Sequence, residues 1–350
     1  MISADTSRSL RLIATLAAVL VALGLYGIAV GPADISVIQV VKSLVSRIAP
    51  VTFDDLSGIA GWRDTIIWQV RIPRVLVAGF VGAALAASGA VLQGLFRNPL
   101  ASPDILGVTS GASLGAAIAI FFGLATAHVL AVPLFAIVFA SVTMAAVYAI
   151  SMRGGRAAIA TLILAGVAIS ALNGAMRSFI LSLALRSYEV GSAIVYWSLG
   201  SLEGRTWEHV FLIAPVFILI YLFLRRYTRE LDIMLLGEVH AVSVGVDVAR
   251  VRLRLLLATA VVGGVAVAAS GGIGFVGLVA PHMVRLMIGP HHRLLLPMSA
   301  LAGAVMLVGS DLLLRSVFAE FNIPVGALTA LLGAPFFAVL LMRQRKGALI

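Results

Sequence analysis

The chain has 350 residues, of which 61% are hydrophobic and only 11% charged, with a formal net charge of +10 and no cysteine. Soluble domains carry about a quarter charged residues, so that class is excluded; without cysteine, so are disulfides, thiolate metal sites and thiol nucleophiles. The positive charge is not interleaved with aromatic residues as a nucleic-acid surface requires, but is spread as in a multi-pass membrane protein that keeps its basic loops inside.

Ten stretches are apolar and long enough to be read as spans: 11–31, 73–96, 104–123, 127–150, 157–184, 207–226, 250–270, 274–289, 294–317 and 325–342. The expected fold is an all-α polytopic membrane protein, one transmembrane domain over 1–350. Arg8 and Arg11 precede the run Leu12–Val30, which exceeds a signal-peptide core and lacks a cleavage site, so it is expected as a retained first span. With the N-terminus in the cytoplasm, both ends are inside. Arg225, Arg226, Arg229, Arg250, Arg252 and Arg254 then fall inside, and Asp34, Asp54, Asp55, Asp64, Glu189, Glu203, Glu208 and Glu320 outside.

The first external loop, 32–70, repeats Ile35, Ile38, Val41, Leu44, Val45 and Ile48 at helical spacing, which predicts an amphipathic helix lying on the membrane or on the protein. Small residues recur every four positions in the second span (Gly82, Ala86, Ala90, Gly94), the third (Gly107, Gly111, Gly115, Ala119) and the seventh (Ala260, Gly264, Ala268, Gly272), a pattern for close helix packing. Residues 185–206 form an external connection whose apolar middle is too short to span and reads as a short re-entrant helix. The one long internal loop, 227–249, carries Leu231, Met234, Leu235, Val239 and Val242. These predict short amphipathic helices broken at Gly237 and Gly245, a membrane-surface element or a docking site for a soluble partner.

Ser270–Arg293 combines Gly271, Gly272, Gly274 and Gly277 with Pro281-His282 and Gly289-Pro290-His291-His292. Glycine and proline weaken helices by about 1 and 3 kcal/mol, and irregular backbone survives in lipid only beside protein or a water-filled cavity, so this stretch is expected to border a pathway as a hinged helix. Asn173 and Arg177 share a helix face within the fifth span, where an arginine costs about 2.5–3.5 kcal/mol and so faces a cavity or a partner or snorkels outward. Asp311 and Arg315, also four apart, are read as an internal pair, with Asp311 the main buried acid. His282 is expected as a hydrogen-bonding element, and His291-His292 is a weak metal signal. There is no GxxxxGK[ST] and no HExxH. The carboxylate relay that a proton-coupled carrier uses is thin.

Four stretches together resemble the permeases of bacterial ABC importers for iron–siderophore complexes, haem or cobalamin, the FecCD family: RIPRVLVAGFVGAALAASGAVLQGLFRNPLASPDILGVTSGA at 71–112, LLGEVHAVSVGV at 235–246, GGIGFVGLVAPHMVRLMIGPHHRLLLP at 271–297 and IPVGALTALLGAPFFAVLL at 323–341. The resemblance implies ten helices per subunit, the type II importer architecture, and a homodimer enclosing the pathway. It also implies two ATPase subunits that carry ATP-Mg, a periplasmic binding protein, and a place in the bacterial inner membrane. No enzymatic site, metal or cofactor on this chain is implied. Gly237, Glu238, Ala241 and Gly245 match the coupling motif that seats in the ATPase. Arg71, Arg74 and Arg315 match the positions that meet glutamates of the binding protein. Asn98 and Leu100 match one half of the cytoplasmic gate; the other half aligns with Ile159-Ala160, where the family often has small hydroxylated residues. Asn173 and Arg177 lie outside the signature and are read as pathway lining for an anionic iron chelate, siderophore or haem. Cobalamin and oxyanion importers share the signatures, and an ion-coupled secondary transporter is the alternative class.

Overall fold

The computed structural model describes residues 2–48, 61–153, 156–157 and 159–347. Residues 49–60 of the expected external loop, with Asp54 and Asp55, lie outside that set. The helices in chain order are α1 (Ile2–Ala29), α2 (Val37–Ile48), α3 (Gly61–Ile66), α4 (Ile72–Phe96), α5 (Val108–Phe121), α6 (Leu124–Ala127), α7 (Ala131–Ser151), α8 (Ile159–Ala184), α9 (Tyr188–Leu199) and α10 (Trp207–Arg225), then α11 (Thr228–Leu235), α12 (Glu238–Ser243), α13 (Val248–Ser270), α14 (Val276–Ile288), α15 (His292–Val317) and α16 (Val325–Gly347). A two-stranded hairpin, β1 (Met152–Arg153) with β2 (Arg156–Ala157), pairs antiparallel between α7 and α8.

Among the described residues seven helices are long and apolar enough to cross a bilayer, and the other three expected spans coincide with shorter apolar helices, Val108–Phe121, Val276–Ile288 and Val325–Val339. Two expected boundaries move. The third span does not begin at 104, because Pro103–Leu106 is a 3-10 turn and α5 starts at Val108. The second begins earlier, because α3 runs into α4 through a π-helical turn, Ile67–Arg71.

α4, α13 and α15 form the centre: in α4 83% of the most apolar window is buried, against 17% in α1 and 22% in α8. The small-residue stripes explain how. Gly82 of α4 meets the Gly303 backbone of α15, and Gly111 and Gly115 of α5 meet the Phe139 and Phe135 carbonyls of α7. Without water to drive helices together in lipid, contact of this closeness supplies the dispersion energy. Gly89 has the most specific reason to be glycine. Pro281 lacks the N–H that the Gly277 carbonyl would accept within α14, and that carbonyl turns onto Gly89, where a Cβ would collide with it.

The amphipathic helix of the first loop is present as α2, but its apolar residues divide. Ile35 and Val40 are buried, whereas Ile38, Val41 and Val45 are exposed, so α2 packs on the protein with one side and presents an apolar strip with the other. It is tied to α3 by Ser43 Oγ donating to Asp64 at 2.5 Å and by Arg47–Asp64 at 3.2 Å. α9 lies in the expected 185–206 connection, and its end interlocks with neighbouring loops: Ser201 N donates to Ser270 O and Gly326 N to Gly200 O.

Gly89→Ala is expected to lower the unfolding temperature of the purified protein, a cost of about 1–3 kcal/mol from overpacking. Gly79→Ala, with nothing within 4 Å of the added Cβ, is expected to leave it unchanged or raised.

Candidate functional site

Functional side chains gather at three levels: the end of the bundle that bears α11 and α12, the far end, and the middle.

At the far end one carboxylate organises several cations. Asp311 of α15 is 1% exposed. It accepts Arg315 Nε at 2.9 Å, as the four-residue spacing predicted, and also Arg74, whose Nη2 lies 2.7 Å and Nε 3.1 Å away. Arg315 donates further to the carbonyls of Gly27 and Val30, and Arg71 to those of Ile28, Ala29 and Ala33. The last carbonyls of a helix have no partner within it, and these two arginines supply them at the end of α1. Arg205, near Arg74, donates to Ser201 O; burial first, then the Arg74 charge, pushes its guanidinium down to about 10, still charged at neutral pH. The docking expectation for Arg71 needs correction, because its guanidinium is spent on three carbonyls and the residue is 5% exposed. Arg74 and Arg315 are more open, with side chains 24% and 13% exposed.

At the opposite end, 227–249 folds as predicted into two short helices broken at glycines with left-handed φ, Gly237 at 120° and Gly245 at 87°. The predicted single apolar face divides. Leu231, Met234 and Ala241 are buried, whereas Leu236, Val239, Val242 and Val244 are exposed, Val239 by 87%. Glu238 pairs with Arg252 of α13. The matched motif residues thus build the element, and other side chains form its outer face. Beside it lies a cavity of about 560 Å³ lined by Tyr148, Val239, Val242 and Asp247 among others. A second tie joins α11 to α15: Asp232 accepts the His292 backbone N–H at 2.8 Å and its Nδ1 at 2.7 Å, capping the helix. Burial raises the Asp232 carboxyl, but the His292 hydrogen bonds and charge outweigh it and hold it below the ordinary range. His292 is fully buried against Gly94, so it serves packing and capping rather than the loop pair suggested by sequence.

Between the two ends, residues 97–107 leave the helical path. Arg97 takes φ 49°, Asn98 Oδ1 accepts Leu100 N–H, and Pro103–Leu106 turns once before Gly107, at φ 80°, starts α5. This turn lies deep in the layer. Pro103 is 3.4 Å from where a Cβ of Gly263 would be and 3.5 Å from that of Gly277, and Ile105 O presses on Gly166. Gly166 is seven residues inside α8 and Gly263 seven before the end of α13, roughly 10 Å in each case. Asn98 and Leu100 are half-buried on this turn, and Ile159 and Ala160 open α8, with Ala160 exposed.

Asn173 does not line an open space. It is 6% exposed and donates to Ser110 Oγ and Thr143 Oγ1, binding α8 to α5 and α7. Arg177 is half-buried. Neither ring nitrogen of His282 has a hydrogen-bond partner among the described residues; the ring lies edge-on to Phe337. Gly111, Ser113 and Gly115 match the GxSxG spacing of a hydrolase elbow, but Ser113 is 4% exposed in mid-helix, with no strand before it. Among the described residues no group of three His, Asp or Glu could hold a metal.

Asp104 stands at the first position of the expected third span, 104–123, where an acid reads as a span-end residue; the structure sets it instead on the turn before α5. It is exposed although protein surrounds it closely, and it accepts the Thr109 hydroxyl. A carboxylate at this depth costs about 2.5–3.5 kcal/mol on insertion scales and belongs beside water or a partner.

Asp311→Ala strands the Arg74 and Arg315 charges and is expected to cost about 3–5 kcal/mol, read as a large fall in unfolding temperature. The folded Asp232 carboxyl lies below its unfolded value of about 4, so its contribution is full above that pH and fades as pH falls through the folded value. Asp232→Asn is therefore expected to flatten the acid limb of a stability–pH profile.

The FecCD transport family profile matches residues 19–343. The chain is 43% identical over 305 residues to the cobalamin import system permease protein BtuC of Halobacterium salinarum, covering 87% of this chain and 80% of that one. It is 41% identical over 287 residues to the hemin transport system permease protein HmuU of Yersinia pestis, covering 80% and 84%. A solved structure described as an inward-facing conformation of a metal-chelate type ABC transporter superposes with a TM-score of 0.82 at 33% identity, over 95% of this chain and 99% of the other. A helical membrane bundle with this turn, this two-helix loop and these relatives belongs to the FecCD transport family, as a non-catalytic permease subunit of an ABC importer.

Proposed function

We propose that the chain forms the pathway by which an iron chelate, a ferric siderophore or haem, passes from a periplasmic binding protein into the cytoplasm. In this reading it acts as a homodimer in the bacterial inner membrane, with both termini and the α11–α12 end in the cytoplasm. Two ATPase subunits, holding ATP-Mg, dock at that end. The observation that carries the reading is the division of labour in 227–249: Gly237, Glu238, Ala241 and Gly245 shape the element, while Leu236, Val239 and Val242 offer apolar surface next to a cavity. Apolar side chains at the water-facing end of a membrane protein suit a partner. The binding protein would meet the far end at Arg74 and Arg315.

The ties from the loop give ATP-driven motion a route. Glu238–Arg252 joins α12 to α13, and Asp232–His292 joins α11 to α15. α15 is a single helix whose other end holds Asp311 and Arg315. A partner changes the permease only if it binds one state more tightly than another, and these links would let the two ends sense one state. Asn98 and Leu100, with Ile159 and Ala160, would narrow the inner exit. A corrin cargo is a second reading, favoured by the 43% identity to a cobalamin permease.

With its ATPase and binding protein in liposomes, ATP hydrolysis is expected to rise with the loaded binding protein and to discriminate among chelates. Uptake without the ATPase would overturn the reading. Val239→Glu with Val242→Glu is expected to weaken ATPase co-purification at least about tenfold, as for lost interface anchors, with the unfolding temperature unchanged.

A further inference from the structure

Two irregular segments interrupt the helical layer, 97–107 before α5 and 271–275 before α14. The first packs through Pro103 at Gly277, in the opening turn of α14 just past the second, and each precedes one of the short apolar helices. In secondary transporters, discontinuous helices mark where cargo binds, and in any membrane protein non-helical backbone at depth needs protein or water around it. Asp104 stands on the first segment. Its carboxylate is exposed and surrounded by protein, its one hydrogen bond is to Thr109, and no cation pairs with it among the described residues. Arg177 is seven residues beyond Ser170, which lies against Gly107, so it stands roughly 10 Å further along α8.

From this placement we infer that Asp104 lines the water-filled pathway and sets its charge preference, favouring a chelate of zero or positive net charge over a polyanion. The inference rests on the importer reading and narrows its cargo: a neutral ferric hydroxamate fits, and haem, with its two propionates, fits poorly. In a homodimer two such carboxylates would face one passage. Their field, little screened between apolar walls, would repel anions and leave neutral cargo to its hydroxyl and amide donors.

The absence of cysteine from the sequence makes a direct test simple. In membranes holding the complex with its ATPase, Asp104→Cys is labelled from the α11–α12 side with water-soluble cationic or anionic methanethiosulfonates. Leu219→Cys, exposed on α10, is the control. Asp104→Cys is expected to react about a hundredfold faster than the control, because only hydrated thiols ionise readily. The charge preference is read at Thr109→Cys, beside the carboxylate. The cationic reagent is expected to gain about tenfold over the anionic one, as for one nearby unit charge, and adding Asp104→Asn is expected to abolish that gain. An Asp104→Cys as inert as the control would overturn the pathway placement. A reagent ratio indifferent to Asp104→Asn would overturn the charge preference. ATPase stimulation by loaded binding protein reports on the importer reading separately, so either failure leaves that reading intact. Co-purification of the ATPase with each variant confirms that it folds.

Discussion

Inside an apolar layer every backbone polar group and every charge must find a partner within the protein or in a hydrated space, and much of this molecule follows from that constraint. The carbonyls at the end of α1 are met by Arg71 and Arg315. The arginines need an anion, which Asp311 supplies to Arg74 and Arg315 together. The carbonyl freed by Pro281 turns onto Gly89. Within 97–107 the turn satisfies itself, with Leu100 N–H on Asn98, Ile105 N–H on Ser102 and Gly107 N–H on Asp104. What that turn does not neutralise is the Asp104 carboxylate, and this singles it out.

The same economy couples the ends. Small residues on α4, α5 and α15 bring helix backbones into close contact, Gly82 against Gly303 and Gly115 against Phe135 O. α15 is the longest element spanning from loop to far end within that centre, tied by Asp232–His292 at its start and by Asp311–Arg74 near its finish. In the proposed reading such a member carries the coupling, because energy would enter at one face and the binding protein would dock at the other. Polar groups within the bundle are spent mostly on structure, Asn173 among them, as suits a passage from which cargo must also leave.

Family signatures and structural roles diverge at several positions. Arg71, matched to a docking position, is a helix cap. Gly237, Ala241 and Gly245 shape a loop whose outer face belongs to Val239 and Val242. A motif records what a backbone conformation requires as readily as what a partner touches, since a left-handed turn or a buried methyl tolerates few residues.

The membrane class, the approximate spans, the broken helices of 227–249, the Asp311–Arg315 pair and the small-residue stripes are legible along the chain. All of these are local: they follow from composition, from periodicity along one helix, or from residues four apart. The remaining contacts arise from packing between distant segments. Arg74 and Asp311 are 237 positions apart, and Asp232 and His292 are 60 apart, so no local pattern joins them. The depth of Asp104 depends on how the 97–107 turn folds back against Gly263, Gly277 and Gly166, and the depth of a turn is fixed by what it packs against, which the spacing of its own residues does not encode.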